Sequence, residues 1–154
     1  MRSKVRQIAV LVTSAAAAMA FAIGTGIAPA SAATGYGLDG TLPDGAGSYC
    51  MNGASVIYST PIRVGGTGAQ VGTMQIRYSS SCGTNWVRAE NESPYLQTAK
   101  SIYRDPSPTD QWVHDTDFTY GWSYSRQIYA PGATCIHADV IIDNFYAWAG
   151  ANIC

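Results

Sequence analysis

The chain has 154 residues, of which 47% are hydrophobic and 12% are charged, and its formal net charge is −1 at pH 7. A balance of nine basic and ten acidic residues gives no electrostatic attraction for a phosphate backbone or an anionic lipid surface. Nucleic acid is therefore excluded as an expected partner, and the length leaves room for a single ordinary domain.

The first 32 residues have the pattern of a cleavable secretory signal peptide. Three basic residues and no acid occupy the first seven positions, and an apolar stretch follows over 8–23. Glycine and proline then precede Ala30-Ser31-Ala32, which is an A-x-A cleavage site. The rival interpretation, an uncleaved anchor, fits less well because the apolar core is shorter than the ~20 residues that span a bilayer. We expect a secreted, extracellular protein with no membrane attachment after cleavage.

Cleavage would leave 122 of the 154 residues and would remove three basic residues but no acid, so the mature net charge becomes −4. All four cysteines lie in this mature part, at Cys50, Cys82, Cys135 and Cys154. In an oxidising compartment thiols pair, and four cysteines permit three connectivities. We expect Cys50–Cys82 and Cys135–Cys154, since each pair ties neighbouring segments. A zinc site is the rival, but no C-x-x-C or His/Cys cluster supports it, and we expect neither a metal nor a cofactor.

The mature chain divides into a leader and a β domain. Residues 33–48 hold five glycines and a proline without periodicity, which predicts a flexible leader. From residue 49 to 154, short runs of Val, Ile, Tyr, Thr and Trp alternate with turn residues, as in all-β domains. Strands are predicted, in chain order, over 55–64, 70–79, 84–90, 96–103, 118–125, 127–129, 135–142 and 145–153.

Three local features complete this prediction. A glycine-rich turn over 65–68 predicts a hairpin between the first two strands, and two prolines within 105–110 predict a loop. A short helix over 145–150 is the alternative to the start of the last strand. Seven or eight short strands at this spacing predict an antiparallel β-sandwich or small barrel, braced by the disulfides.

Aromatic residues are the first candidates for a binding site. The period of two puts Tyr120, Trp122 and Tyr124 on one face of their strand, where a ladder of rings can stack on sugars. The competing interpretation makes this face the core, with the small residues opposite in solvent, because aromatic residues dominate cores energetically. Trp112 lies near the predicted loop. The mature chain holds every aromatic residue except Phe21, a surplus that favours binding of carbohydrate or peptidoglycan.

The densest ionisable cluster is His114, Asp115 and Asp117. A histidine beside carboxylates suits a general base, and carboxylates with Asp110 suit Ca²⁺, yet the glycine and terminal glutamate of an EF-hand loop are missing. A solvated loop is the simpler interpretation of this cluster. His137 and Asp139 share a predicted strand face and are interpreted as a structural or exposed pair. A nucleophile elbow is rejected, since the nearest string, over 121–125, lacks the second glycine.

Residues 71–88 resemble the YjfA-like family of small secreted proteins from Gram-positive bacteria, a domain of unknown function. The family pattern is a G-T strand that ends in R-Y-S, followed by a cysteine and then by a T-x-W strand with an arginine. This chain matches it at Gly72, Thr73, Arg77, Tyr78, Ser79, Cys82, Thr84, Trp86 and Arg88. A weaker landmark is Ile128-Tyr129-Ala130-Pro131. Upstream of Cys50 the family often has another cysteine and Asp-Pro, where this chain has residues 45–49 without either. The resemblance implies a secreted, disulfide-bearing β domain and brings no catalytic residue.

The function predicted from these features is a non-enzymatic extracellular or envelope-associated binding module. Its expected partner is a cell-wall polysaccharide or an extracellular protein. The predicted contact set joins the aromatic strand to the ionisable cluster, and consists of Trp112, His114, Asp115, Asp117, Tyr120, Trp122 and Tyr124. The alternative is a small secreted hydrolase, or an inhibitor of one that presents the loop over 105–110.

Overall fold

The computed structural model describes residues 35–45, 49–105, 112–144 and 146–154. The predicted signal peptide lies outside the described residues, as does most of the proline-containing loop over 105–110. The described residues contain no α-helix, and none of their helices is long and apolar enough to cross a membrane.

Nine strands and one short 3₁₀ helix, Tyr36–Leu38, make up the described chain. The strands are β1 (Ser55–Val64), β2 (Gln70–Ser79), β3 (Thr84–Asn91), β4 (Thr98–Asp105), β5 (Val113–Asp117), β6 (Gly121–Tyr124), β7 (Ile128–Tyr129), β8 (Cys135–Ile142) and β9 (Ala147–Ile153). They form one sheet in the order β5-β4-β8-β9-β1-β2-β3-β6, with β7 paired to β3. Every pairing is antiparallel, and the sheet curls into a nearly closed barrel. The predicted all-β fold is confirmed, in its barrel form.

The barrel interior follows from the period-two alternation of the strands. In β8 the residues Ile136, Ala138, Val140 and Ile142 are buried, while the residues between them are half-exposed. The same alternation in the neighbouring strands supplies the rest of one core cluster, including Ile62, Met74, Ile76, Val87, Ala89, Ile102 and Ala147. Because the inner face is filled, any ligand must bind on the outer face or at the barrel ends.

A second, smaller core lies on the outer face of β3. There Trp86 packs with Leu38, Cys50 and Cys82, all at most 4% exposed. The Asp39 carboxylate binds Arg104 at 2.7 Å and accepts a hydrogen bond from the Tyr129 amide at 2.5 Å. Residues 35–45 of the predicted leader are therefore a packed part of the domain. The remaining leader residues, 33, 34 and 46–48, lie outside the described residues.

The two disulfides join Cys50 to Cys82 and Cys135 to Cys154, which confirms the predicted connectivity. The first ties the segment before β1 to the turn between β2 and β3. The second joins the first residue of β8 to the residue after β9. The second bond therefore cross-links two strands that are neighbours in the sheet, whereas the first joins two segments outside the strands.

Two local predictions need correction. Residues 113–117 form β5, where the sequence pattern predicted a solvated loop; a continuous register with β4, from Ile102↔Val113 to Thr98↔Asp117, pairs the backbone groups that face β4. The last strand begins at Ala147, and its pairing with β8 rules out the alternative helix over 147–150.

Candidate ligand-binding face

The outer face of β5, β4, β8 and β9 carries a continuous row of side chains. Ladder pairing aligns His114 with Ser101, Ser101 with Asp139, and Asp139 with Gly150. Directly paired residues of antiparallel strands point to the same face. Along this row runs a groove of about 340 Å³, lined by Ser101, Trp112, Asp139, Val140, Ile141, Trp148 and Ala149. Its size lies at the lower end of the range for small-molecule sites.

Trp112 forms one wall of the groove and is 62% exposed. Its indole stacks on the ring of Tyr103, with 5.0 Å between ring centroids and 7° between planes. Tyr103 in turn stacks on His137, at 4.6 Å and 2°. Tyr103 and His137, on the outer faces of β4 and β8, therefore form a stack with Trp112 that fixes the orientation of its indole before a ligand arrives.

Trp148 lines the same groove and is 46% exposed. It pairs with Arg63 on β1 and with Ile141 on β8. Gly66, in the turn between β1 and β2, lies directly against the indole, and a Cβ at this position would overlap the ring. Gly66 also has a φ of 78°, which glycine adopts without steric cost. The turn therefore supports Trp148 from one side while leaving part of the ring in solvent.

Asp139 lies on the groove floor, and burial raises the pKa of its carboxyl, an effect that the charge of His137 partly offsets. Among the residues that the structure describes, none donates a hydrogen bond to this carboxylate. Gly150 faces it from β9, and a Cβ at that position would lie 2.9 Å from Asp139 Oδ1. The glycine therefore leaves the carboxylate room on the groove floor.

A serine and a histidine meet at the edge of this face. Ser101 Oγ lies 3.2 Å from His114 Nδ1, and Thr116 Oγ1 lies 2.8 Å from His114 Nε2. A Ser–His contact is the first requirement of a hydrolase, but acyl transfer also needs free donors for an oxyanion. The strand that carries Ser101 is paired on both sides, by β5 and by β8, so its amides are engaged in the ladders. The arrangement suits ligand contact better than acyl transfer.

The structure separates the predicted contact set into three places. Trp112 and His114 lie on the outer face described above. Asp115 and Asp117 face the barrel interior, where Lys100 is fully buried: its Nζ contacts Asp117 Oδ2, lies 3.5 Å from Asp115 Oδ2 and donates to Ser123 Oγ at 3.0 Å. The two aspartates therefore neutralise a buried lysine from within the barrel.

The environment of Asp117 keeps it ionised. Burial alone would raise its pKa, but the hydrogen bonds from Lys100 and from the Thr119 amide, with the lysine charge, lower the pKa below its usual range. A carboxylate committed in this way is a poor general base near neutral pH.

The aromatic strand occupies the third place. Trp122 and Tyr124 share the outer face of β6, with the Arg88 guanidinium 3.9 Å from the Trp122 ring and Tyr124 packed against the second core cluster. Tyr120 precedes the strand and is 68% exposed. The interpretation of these rings as the barrel core is wrong, since the small residues Ser123 and Ser125 are the buried ones.

Sequence reasoning missed Trp148 and Asp139 as members of a site. Alternation in β8 and β9 could have placed both on an outer face, but nothing local shows that the two strands pair. No known family model, curated protein or solved structure matches this chain. The described residues contain no group of three or more His, Cys, Asp or Glu side chains placed to hold a metal ion.

Proposed function

We propose that this protein is a secreted, non-enzymatic binding module that holds a polysaccharide chain on the outer face of β4, β8 and β9. The observation that carries the proposal is the pair of exposed indoles, Trp112 and Trp148, on one groove. Exposed apolar side chains grouped on one groove mark a ligand-binding site more often than single exposed ones do.

The pre-orientation of both indoles supports binding. Trp112 is held by the stack with Tyr103, and Trp148 is held against Gly66, so little side-chain entropy remains to be lost when a sugar ring stacks on them. Stacking on one aromatic ring contributes about 1–3 kcal/mol, by analogy with base stacking. Two such rings contribute about 2–6 kcal/mol, which corresponds to roughly millimolar affinity.

An extracellular site of action is part of the same proposal. The signal-peptide pattern of residues 1–32 supports it, and two disulfides are typical of proteins from oxidising compartments. Membership of the YjfA-like family and a Gram-positive origin are proposals that rest on the resemblance of residues 71–88. Together these features favour a cell-wall polysaccharide as the partner.

Replacing Trp148 or Trp112 by alanine should weaken polysaccharide binding by about 5- to 150-fold, the equivalent of 1–3 kcal/mol. The measurement is retention of the purified protein on insoluble cell wall, followed by titration with the polysaccharide that retains it. Stability should change little, because both rings project from the outer face.

Trp122→Ala is the matched control, because that indole lies on β6 beneath Arg88 and does not line the groove. It should bind like the parent protein. Unchanged retention of both groove variants would refute the proposal, and so would a loss of binding that follows a loss of thermal stability.

A further inference from the structure

We infer that the groove selects an amino sugar, and that the Asp139 carboxylate binds its protonated amine. This inference rests on the proposed function and specifies the class of polysaccharide: a chain with free amino groups, in preference to a fully N-acetylated or an anionic one. The juxtaposition that carries it is a carboxylate that no described residue binds, on the floor of a groove bounded by two indoles.

The state of Asp139 is the first argument. Asp139 is half-buried, and the part of a carboxylate that is removed from water is costly unless a cation or hydrogen-bond donors compensate it. Within the described parts of the chain, Asp139 has no hydrogen-bond donor and no ion pair, and the one charge that acts on its carboxyl is that of His137, two positions along the same strand. By contrast, the interior carboxylates Asp115 and Asp117 are both paired with Lys100. The Asp139 carboxylate can therefore accept hydrogen bonds from a positively charged group of a ligand.

Charge complementarity is the second argument. Among the described side chains that line the groove, Asp139 is the one ionisable residue, so these side chains present a single negative charge between apolar walls. A uronate or phosphate on the ligand would be repelled. A neutral sugar hydroxyl can donate to the carboxylate, but an ammonium donor forms a charge-assisted bond that is roughly twice as strong.

The indoles favour the same ligand. An ammonium group near the face of a tryptophan ring is attracted by the ring quadrupole, by about 0.5–1 kcal/mol where the site is exposed. The apolar face of a pyranose stacks on the same surface. Trp112 and Trp148 can therefore hold the sugar ring while Asp139 holds the amine, without any change in the protein backbone.

The space around the carboxylate is the third argument. Gly150 is the residue opposite Asp139 on β9, and any side chain there would approach within 2.9 Å of Oδ1. The glycine keeps the carboxylate accessible from the groove, where an added methyl group would displace it.

The test compares two probes of equal length, a glucosamine tetramer and an N-acetylglucosamine tetramer, titrated calorimetrically into the purified protein at about pH 6. The parent protein should bind the free-amine tetramer at least tenfold more tightly. Asp139→Asn keeps the side-chain shape but removes the charge, and should abolish this preference while leaving the affinity for the N-acetylated tetramer unchanged. Asp143→Asn, in the exposed turn after β8, is the control and should keep the preference.

The outcomes separate this inference from the proposed function. Equal binding of the two tetramers, with Trp148→Ala still defective, would overturn the amino-sugar inference and leave the polysaccharide site standing. A preference that survives in Asp139→Asn would overturn the role of Asp139. Binding of neither tetramer would overturn the inference, and the proposed function would fall with it if retention on cell wall were also absent.

Discussion

Asp117→Asn should destabilise the domain by about 3 kcal/mol, because it removes the closer of the two carboxylates that neutralise a fully buried ammonium group. Lys100 is 0% exposed, whereas the Asp115 and Asp117 side chains are 26% and 25% exposed. Without Asp117, the lysine would retain Asp115 at 3.5 Å and the Ser123 hydroxyl. The measurement is urea unfolding at pH 7, followed by the circular dichroism of the β-sheet.

Lys100→Met is the matched variant and should cost less than Asp117→Asn. It removes the buried charge and keeps the packing volume, and the two carboxylates it releases can be hydrated because each is a quarter exposed. If Lys100→Met lost as much stability as Asp117→Asn, or more, the cost of an unneutralised buried lysine would not be the cause of the loss in Asp117→Asn.

The same site predicts a dependence on pH. Since the folded-state pKa of Asp117 is lowered, its contribution is fully present above the unfolded value of about 3.9 and is lost as the pH falls through the lower folded-state pKa. The stability gap between the parent protein and Asp117→Asn should therefore narrow below about pH 4. A gap that widens in acid would exclude this explanation.

Replacing Cys50 and Cys82 together by alanine should lower the free energy of unfolding by about 4 kcal/mol. The two cysteines are 32 residues apart, so the reduced chain regains substantial conformational entropy. Both are also completely buried beside Leu38 and Trp86, so the second core loses packing as well. Urea unfolding of the double variant measures the loss.

Removal of the Cys135–Cys154 bond is the comparison. It closes a shorter separation of 19 residues, and neither cysteine belongs to a buried cluster. Replacing Cys135 and Cys154 by alanine should lower the free energy of unfolding by about 1 kcal/mol less than replacing Cys50 and Cys82 does, or by a still smaller amount. If the second bond proved the more stabilising, the packing contribution assigned to the first would be wrong.

The sequence predicted those strands whose signals lie within the strand itself or in the turns beside it. The ends of β1, β2 and β8 agree with the predicted runs, because turn residues such as Gly65 and Gly66 between β1 and β2 flank each run. The strand β5 was missed for the opposite reason. Its inward-facing residues include Asp115 and Asp117, and a carboxylate can face a barrel interior only when a lysine from another strand meets it there.

The residues of the candidate site lie far apart in the sequence, so the sequence alone does not show that they meet. Trp112 was recognised as a ring near a loop, but its partners on the groove lie on β8 and β9, and the order β4-β8-β9 has no local signature. The face of β6 was misassigned for a related reason. Ser123 and Ser125 are buried because the first accepts from Lys100 and the second accepts from the Val87 amide, whereas Trp122 finds its partner, Arg88, outside the barrel.

The edges β5 and β6 have a thermodynamic consequence for binding. Within the described residues each pairs along one side alone, and the Lys100 contacts to Asp117 and Ser123 connect the two across the seam. Local opening of an element with few ladder bonds costs less than global unfolding, so these strands should open first. Trp112 immediately precedes β5, and release of that strand would remove one wall of the groove. A ligand that binds only the closed form would therefore stabilise the junction of β5 and β6 by mass action. The fraction of protein with a ligand on the outer face and the fraction with a closed barrel should rise together.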